Sequence, residues 1–221
     1  MPSTIGVKPT SLASIALSIE LLLRGVAGEL SAEQKKYLSE SYKSTKIMAE
    51  LIKVLLDISR IELGTFTVQL EPVNLMESLN QILNELKLQL DRKKIILHRN
   101  YQGVLIVRFD KNILRTAMEN LITNAIRYTA VGGAINVSLE KKDKEILIKI
   151  ADNGCGIPEQ DNDKIFTKLF RSENAKVISS EGAGLGLYMV KSMLDLVNCR
   201  IWFESELGKG TTFFVAIPLV N

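Results

Sequence analysis

The strongest constraint on the fold is a long amphipathic segment near the N-terminus that carries two adjacent apolar seams. Ser31 and Gln34 have the spacing of a capping box, and helical periodicity continues from about Ala32 to about Glu62. At 1.5 Å per residue, this helix would be roughly 45 Å long. The two seams consist of Ile47, Leu51, Val54, Ile58 and Ile61, and beside them of Met48, Ile52 and Leu55. A helix with two seams needs apolar partners on both sides.

A shorter helix upstream can supply only one of these partners. Its apolar residues recur at helical spacing between Leu12 and Val26, and the glycines of "RGVAGELS" separate it from the long helix. The economical solution is a helical hairpin that pairs with a second copy as a four-helix bundle. The alternative is that the second seam packs onto the rest of the same chain. We favour the homodimer.

The remainder of the chain alternates strand and helix patterns. Gly64 ends the long helix, and the segment "TFTVQLEPV" is interpreted as a strand and linker. Further strands are predicted at "IILH", "VLIV", "GAINVSLE", "EILIKIAD", "RIWFES" and "TTFFVAIPL". The predicted helices run from Asn74 to about Asp91, from Asp110 to about Tyr128, and from about Leu185 to Val197.

The predicted fold class is therefore α+β, in two domains. A helical hairpin occupies residues 1–64, and an α/β sandwich whose sheet contains antiparallel hairpins occupies residues 65–221.

Composition and charge exclude several kinds of protein. Lys and Arg number 28 against 25 Asp and Glu, a net charge of +3, which is too small for a nucleic-acid surface. Cys155 and Cys199 have neither disulfide-like nor metal-like spacing, which favours a reducing compartment. The apolar stretch "LASIALSIELLL" contains serines and Glu20 and is too short to span a bilayer. We predict a cytoplasmic location, as a free protein or as the cytoplasmic part of a sensor whose membrane anchor lies outside this chain.

An acidic residue followed by glycines ends one predicted strand, in the motif "DNGCGIP". Asp152 comes directly after an apolar strand, and its carboxylate can accept a hydrogen bond from an amino group such as that of adenine. Gly154 and Gly156 allow a ligand to approach the backbone. By itself, such a motif is more often an ordinary turn than a nucleotide site. Its carboxylate spacing excludes an EF-hand loop.

A second motif, "ENLITNAIRY", places Asn120, Asn124 and Arg127 on one helix face. An amide oxygen suits a Mg²⁺ ion that also holds phosphate oxygens, and an arginine can neutralise a phosphate. The alternative is a solvated helix face. A third motif, "GAGLGL", leads into a helix whose first N–H groups could bind an anion. It does not have the spacing of a dinucleotide fingerprint, and "GKGTT" is not a Walker A loop.

In this order, the motifs resemble the four-box signature of the GHKL ATPase superfamily and, within it, the sensor histidine kinases. "ENLITNAIRYT" resembles the N box, "DNGCGIP" the G1 box, "IFTKLFR" the F box and "GAGLGL" the G2 box, with "GKGTTFFVAIP" closing the domain. "LLDISRIELG" resembles the second helix of a histidine kinase dimerisation domain. The resemblance covers nearly the whole chain. It implies a dimeric four-helix bundle followed by a GHKL (Bergerat-type) α/β sandwich, in a histidine kinase core of a two-component system.

The resemblance also implies Mg-ATP binding and residue roles. Asn124 would be the Mg²⁺ ligand with Asn120 beside it, and Arg127 and Tyr128 would reach the phosphates and ribose. The implied catalytic set is Asn120, Asn124 and Arg127. The implied nucleotide-binding set is Asn124, Arg127, Tyr128, Asp152, Gly154, Gly156, Ile157, Lys168, Arg171, Gly182, Gly184, Leu185, Gly186, Leu187 and Thr211.

Within this set, Asp152 would bind the adenine amine, and Lys168 or Arg171 would contact phosphate from a lid. This lid segment, residues 159–183, is expected to become ordered mainly when nucleotide is bound. Phe166 and Phe170 would be the F-box aromatics, with plain core packing as the alternative. Leu169 stands where the family usually has an aromatic residue.

The phosphoacceptor that the family uses is missing. Kinases of this type phosphorylate a histidine on the first helix, but the matching stretch "STIGVKPTSLASI" contains none. Thr4 or Gly6 occupies the position, depending on which landmark is used for counting. The chain's one histidine, His98, is interpreted as a residue of the strand "IILH". We therefore predict ATP binding without autophosphorylation, whether the loss is natural or engineered.

Two other functions remain open. The chain could be a catalytically silent regulatory module that binds ATP and dimerises, or a GHKL ATPase of another class, as in gyrase or mismatch-repair proteins. Against the latter, Glu119 is one residue off the Glu-x-x-x-Asn spacing that would lead to Asn124. The resemblance implies a homodimer and a response-regulator receiver domain as partners.

Overall fold

The computed structural model describes residues 11–101, 104–178 and 182–219. The chain divides into two compact units between Arg60 and Ile61. Thr4 and Gly6, the two positions assigned to the missing phosphoacceptor, lie outside the described residues, as do residues 179–181 of the lid segment.

Two helices form the N-terminal hairpin, α1 (Ser11–Leu23) and α2 (Ala32–Glu62). The capping box predicted at the start of α2 is present in both directions. The Ser31 N–H donates to Gln34 Oε1 at 2.8 Å, and the Gln34 N–H donates to Ser31 Oγ at 3.2 Å. The Tyr42 hydroxyl donates to Glu20 Oε2 at 3.4 Å and links the two helices. A helical hairpin at this end of the chain is therefore confirmed.

The two seams of α2 differ in exposure. The first seam is buried at Ile58 and half-buried at Ile47, Leu51 and Val54. In the second seam, Met48 is 48%, Ile52 47% and Leu55 51% exposed. One copy of the chain thus leaves an apolar stripe of α2 in contact with solvent.

The second unit alternates strands and helices. Its elements are β1 (Glu71–Asn74), α3 (Leu75–Glu85), α4 (Lys87–Arg92), β2 (Ile96–Asn100), β3 (Ile106–Phe109), α5 (Lys111–Tyr128), β4 (Ala134–Lys141), β5 (Glu145–Asp152), α6 (Glu173–Ile178), α7 (Gly186–Leu196), β6 (Arg200–Glu206) and β7 (Gly210–Pro218). A single 3-10 turn covers Glu159–Asp161.

Five of the strands form one sheet in the order β2-β4-β5-β7-β6. The β2–β4 pair is parallel and the other pairs are antiparallel, while β1 and β3 form a separate two-stranded antiparallel sheet. Along β5, Ile146, Ile148 and Ile150 are at most 1% exposed and lie on one face. Helices α5 and α7 pack on the sheet, and α3 packs on α5. The result is the predicted α/β sandwich.

Three local predictions need correction. Residues 65–70 are not in a strand, and the Gln69 N–H donates to Asp110 Oδ2 at 2.7 Å. The helix predicted to reach Asp91 is divided at Leu86 into α3 and α4. The strand predicted at "VLIV" begins at Ile106 and extends to Phe109, where it pairs with β1.

Other expectations agree with the structure. His98 lies in β2, opposite Asn136 of β4, so it is a strand residue. Cys155 and Cys199 are both free thiols. Within the described ranges, no helix is both long and apolar enough to cross a membrane.

Candidate functional site

Helix α5 carries the polar residues around which the site is built. Its start is capped by buried Asp110, whose Oδ1 accepts the N–H groups of Asn112 at 2.8 Å and Ile113 at 3.0 Å. One face of α5 is fully apolar and lies in the core, at Ile113, Leu114, Ala117, Met118, Leu121 and Ile122. The adjoining stripe of Asn120, Asn124 and Arg127 is half-buried. These polar groups therefore lie at the edge of the core.

The three polar side chains of this stripe differ in their partners. Asn120 donates from Nδ2 to the Thr116 carbonyl at 2.8 Å. The Asn124 amide and the Arg127 guanidinium make no hydrogen bond to any residue in the described ranges. Half-buried polar groups normally have partners, and the described part of the chain provides none for these two, which suits them to bind a ligand.

The loop before α7 lies against the same helix. A Cβ atom on Gly186 would be 2.7 Å from Asn120 Oδ1, and one on Gly182 would be 3.2 Å from Arg127 Nη1. Gly184 has φ of 71°, and a Cβ atom there would be 2.6 Å from the Phe170 carbonyl oxygen. Leu185 is buried and Leu187 half-buried at the start of α7. The loop thus places the helix N-terminus next to the polar stripe of α5.

The glycine loop after β5 contacts the other end of α5. The Cys155 N–H donates to the Tyr128 carbonyl at 3.3 Å. A Cβ atom on Gly154 would be 2.5 Å from the same oxygen. Gly156 has φ of 68°, and a Cβ atom there would overlap the Glu206 carbonyl oxygen. These contacts leave no room for side chains, so the loop requires both glycines.

Asp152 ends β5 at this loop. Its Oδ1 accepts the N–H groups of Gly154 at 2.8 Å and Thr211 at 3.3 Å. Its Oδ2 has no hydrogen-bond partner among the residues that the structure describes. Burial raises the pKa of Asp152 to about 6, although both backbone hydrogen bonds act to lower it. The second oxygen is thus available to an external donor.

Ser205, which the sequence analysis missed, supports this loop together with Thr211. Ser205 Oγ accepts the Ile157 N–H at 2.8 Å and lies 2.8 Å from Thr211 Oγ1. Its signal was the strand pattern: Ser205 shares the inward face of β6 with Ile201 and Phe203, where a polar residue is unexpected.

The described part of the lid segment is held by contacts within the second unit. Phe166 packs edge-on against Phe203, with ring centroids 6.1 Å apart. Lys168 forms an ion pair with Glu62 and lies over the Tyr188 ring. Arg171 donates to the Gly182 carbonyl at 3.0 Å, so Arg171 and Arg127 both lie beside Gly182. Lys168 is instead neutralised by the carboxylate of Glu62.

Asn174 is a second residue that the sequence analysis missed. Its Nδ2 donates to the Gly156 carbonyl at 2.9 Å, and its Oδ1 accepts the Ala175 N–H at 2.9 Å. It therefore ties the start of α6 to the glycine loop. No periodicity marks it, because α6 has only 6 residues.

Comparison with known proteins identifies the two parts of the chain. Residues 109–221 match the family described as histidine kinase-, DNA gyrase B-, and HSP90-like ATPase. Residues 10–64 match the His Kinase A (phospho-acceptor) domain. That matched segment contains no histidine.

Curated relatives include two histidine kinases. The chain is 32% identical over 200 residues to the circadian input-output histidine kinase CikA of Synechococcus elongatus, covering 89% of this chain and 26% of CikA. It is 26% identical over 211 residues to the sensor histidine kinase WalK of Bacillus subtilis, covering 95% of this chain and 34% of WalK. The chain thus spans only about a quarter to a third of these relatives.

Solved structures show the same fold. Full-length ShkA in complex with AMPPNP matches with a TM-score of 0.73 and 22% identity, covering 97% of this chain and 47% of ShkA. The Acinetobacter baumannii histidine kinase AdeS matches with a TM-score of 0.70 and 21% identity, covering 96% of both chains. The chain therefore belongs to the family of histidine kinase-, DNA gyrase B- and HSP90-like ATPases, as a histidine kinase core in which a His Kinase A domain precedes the ATPase domain.

Proposed function

We propose that this chain binds Mg-ATP between α5 and the two glycine loops, as the homodimeric core of a two-component histidine kinase. The observation that carries this proposal is the contact of one helix with both loops. The loop before α7 lies against Asn120 and Arg127, and the loop after β5 lies against Tyr128. A single ligand between these loops could meet the free groups of Asn124, Arg127 and Asp152.

Each group suits a different part of the nucleotide. Ionised Asp152 Oδ2 can accept a hydrogen bond from the adenine amine, while Oδ1 is held by backbone N–H groups. Arg127, with Arg171 also beside Gly182, would face the phosphates. Gly154, Gly156, Ile157 and Thr211 would frame the base, and Gly184 to Leu187 would present the N-terminus of α7 to phosphate. Lys168 would have to leave Glu62 to contact phosphate.

A magnesium ion would depend largely on the nucleotide. No group of three or more acidic, histidine or cysteine side chains among the described residues could hold a metal. Asn124 Oδ1 would supply one oxygen ligand, and phosphate oxygens and water would supply the others. The ion would supply positive charge that neutralises the phosphates.

The missing histidine and the matched His Kinase A domain bear on the two alternatives differently. Because the first helix lacks a histidine, the chain as written should bind ATP without transferring phosphate to itself, which also describes a silent regulatory module. An ATPase of another class is not favoured, because a His Kinase A domain precedes the ATPase domain. A receiver domain of a response regulator is the partner that such a core would serve.

Calorimetric titration of Mg-ATP tests the site. Asp152→Asn should weaken binding roughly tenfold to a hundredfold, because an amide N–H would then face the adenine amine and a hydrogen bond to a charged group is lost. Asn124→Asp should also weaken binding, because it places a negative charge beside the phosphates.

Matched controls make the same chemical changes elsewhere. Asp143→Asn changes an exposed residue beyond the other end of β5, and Asn112→Asp lies about 18 Å along α5 from Asn124. Both should bind like the wild type. Wild-type affinity in Asp152→Asn and Asn124→Asp would refute the site, and a wild-type chain that does not bind Mg-ATP would refute the function.

A further inference from the structure

Lys93 makes an unusual set of contacts at the C-terminal end of α5. Its ammonium donates to three backbone carbonyls, those of Ile126 at 2.9 Å, Arg127 at 2.7 Å and Thr129 at 2.9 Å. It forms no ion pair with any acid in the described ranges. An ammonium has three N–H donors, so all of them are used on the backbone of one helix end.

These carbonyls need such a partner. The last four carbonyls of a helix have no intrahelical donor, and the helix dipole places partial negative charge there. The backbone of Lys93 adds to the attachment, because its carbonyl accepts the Gly132 N–H at 2.9 Å. Lys93 thus fastens both the helix end and the turn that follows it.

The one carbonyl that Lys93 does not contact in this stretch is that of Tyr128. That oxygen accepts the Cys155 N–H and lies against Gly154 of the glycine loop after β5. Lys93 therefore holds the end of α5 through three carbonyls, and the remaining one, that of Tyr128, supports the glycine loop after β5. Arg127, whose guanidinium lies beside Gly182, carries one of the carbonyls that Lys93 holds and directly precedes Tyr128.

This contact is more than surface charge. Lys93 is half-buried, and burial together with the like charge of Arg127 lowers its pKa. The neighbouring Lys94 is exposed, and its ammonium has no hydrogen bond or ion pair with a described residue. The two adjacent lysines thus carry the same charge, but only Lys93 binds the end of α5.

We propose that Lys93 is a positioning residue for nucleotide binding, which acts by holding the end of α5 so that Arg127 is directed at the phosphates. The inference rests on the proposed function, because it assumes that Arg127 contacts ATP. Lys93 itself does not touch the nucleotide. We expect its effect on binding to pass mainly through Arg127.

A double-mutant cycle measured by calorimetry with Mg-ATP tests this route. In the presence of Arg127, Lys93→Met should weaken binding about tenfold. Most of this loss should depend on Arg127, as an interaction energy of the size found between contacting residues. Lys94→Met, which removes the same charge one residue away, should change affinity less than twofold. When Arg127 is already alanine, Lys93→Met should cost less than about twofold further.

If Lys93 only stabilised the fold, Lys93→Met would lower the affinity for Mg-ATP by the same factor with and without Arg127. Equal losses in both backgrounds, or wild-type affinity in Lys93→Met, would overturn the proposal. If Lys93→Met does not fold, Lys93→Gln, which keeps two N–H donors, takes its place in the cycle with the same criteria. A wild-type chain that does not bind Mg-ATP would overturn both this proposal and the function on which it rests.

Discussion

At the scale of single residues, Asp152 is costly for the fold. Its carboxylate is removed from water, and two backbone N–H groups compensate only in part, so that its pKa is raised to about 6. A protein gains no stability from such a group in its ionised form. The proposed adenine contact would explain why an acid occupies this position.

Asp152→Asn should therefore stabilise the nucleotide-free chain at neutral pH. In the unfolded chain the carboxyl titrates near 3.8, and in the folded chain near 6, so the folded state binds this proton more tightly. Ionised Asp152 thus lowers the free energy of unfolding. This loss is absent below the unfolded pKa, grows as the pH rises from 3.8 to about 6, and is constant at higher pH. The full difference corresponds to at most about 3 kcal/mol.

Urea unfolding at pH 7.5 and pH 4 measures this effect. The variant should exceed the wild type in unfolding free energy at pH 7.5 and lose most of that advantage at pH 4. Asp143→Asn, in an exposed turn, should show no such dependence. An Asp152→Asn variant that is less stable than the wild type at pH 7.5 would contradict the explanation.

At the scale of elements, α2 has two apolar seams that are buried to different extents in a single chain. Its first seam is partly covered in a single chain, but the second seam leaves Ile52 and Leu55 about half exposed. An apolar stripe of this kind on a helical hairpin is suited to a four-helix bundle formed by two copies.

Leu55→Glu should dissociate such a dimer. A carboxylate at this position would lie in a dry interface without a partner, at a cost of several kcal/mol. Lys53→Glu is the matched control, since it places the same side chain on an exposed polar position of α2. Light scattering on the purified chains should give a dimer for the wild type and the control. A monomeric wild type would contradict the predicted dimer.

At the scale of the whole molecule, the two parts of the chain differ in how completely they match a working kinase. In the ATPase part, the side chains of Asn124 and Arg127 have no hydrogen-bond partner among the described residues. The His Kinase A part lacks the imidazole that would accept phosphate, and the chain's one histidine lies in β2.

The unmodified chain should bind ATP and acquire no acid-labile label from radiolabelled ATP. A hydroxyl at Thr4 is not ionised at neutral pH and has no adjacent acid, and Gly6 has no nucleophile. Thr4→His with Ile5→Glu, or Gly6→His with Val7→Glu, should restore some labelling. Adding Asn124→Asp to either should abolish it, and His98→Ala should have no effect. Labelling of the unmodified chain would show that the acceptor lies elsewhere.

Local patterns explain how much of this protein could be predicted from its sequence. The limits of α2, the hairpin of β4 and β5, and the strand that ends at Asp152 follow from periodicity and from turn residues, which depend on near neighbours. The order of the glycine motifs identified the family for the same reason. At residues 65–70 the local pattern predicted a strand that is not formed, and there the Gln69 N–H bonds to Asp110, some forty positions away in the chain.

The contacts that make the site depend on the tertiary structure. Lys93 reaches carbonyls 33 to 36 residues away, the Thr211 N–H reaches Asp152 across 59 residues, and Ser205 supports a loop 48 residues earlier. Such pairs are set by the register of the sheet and by the packing of α5 on it, and no short stretch of sequence records either. The sequence by itself therefore determined the elements and the family, while the fold decided which side chains are occupied by the protein and which remain free for a ligand.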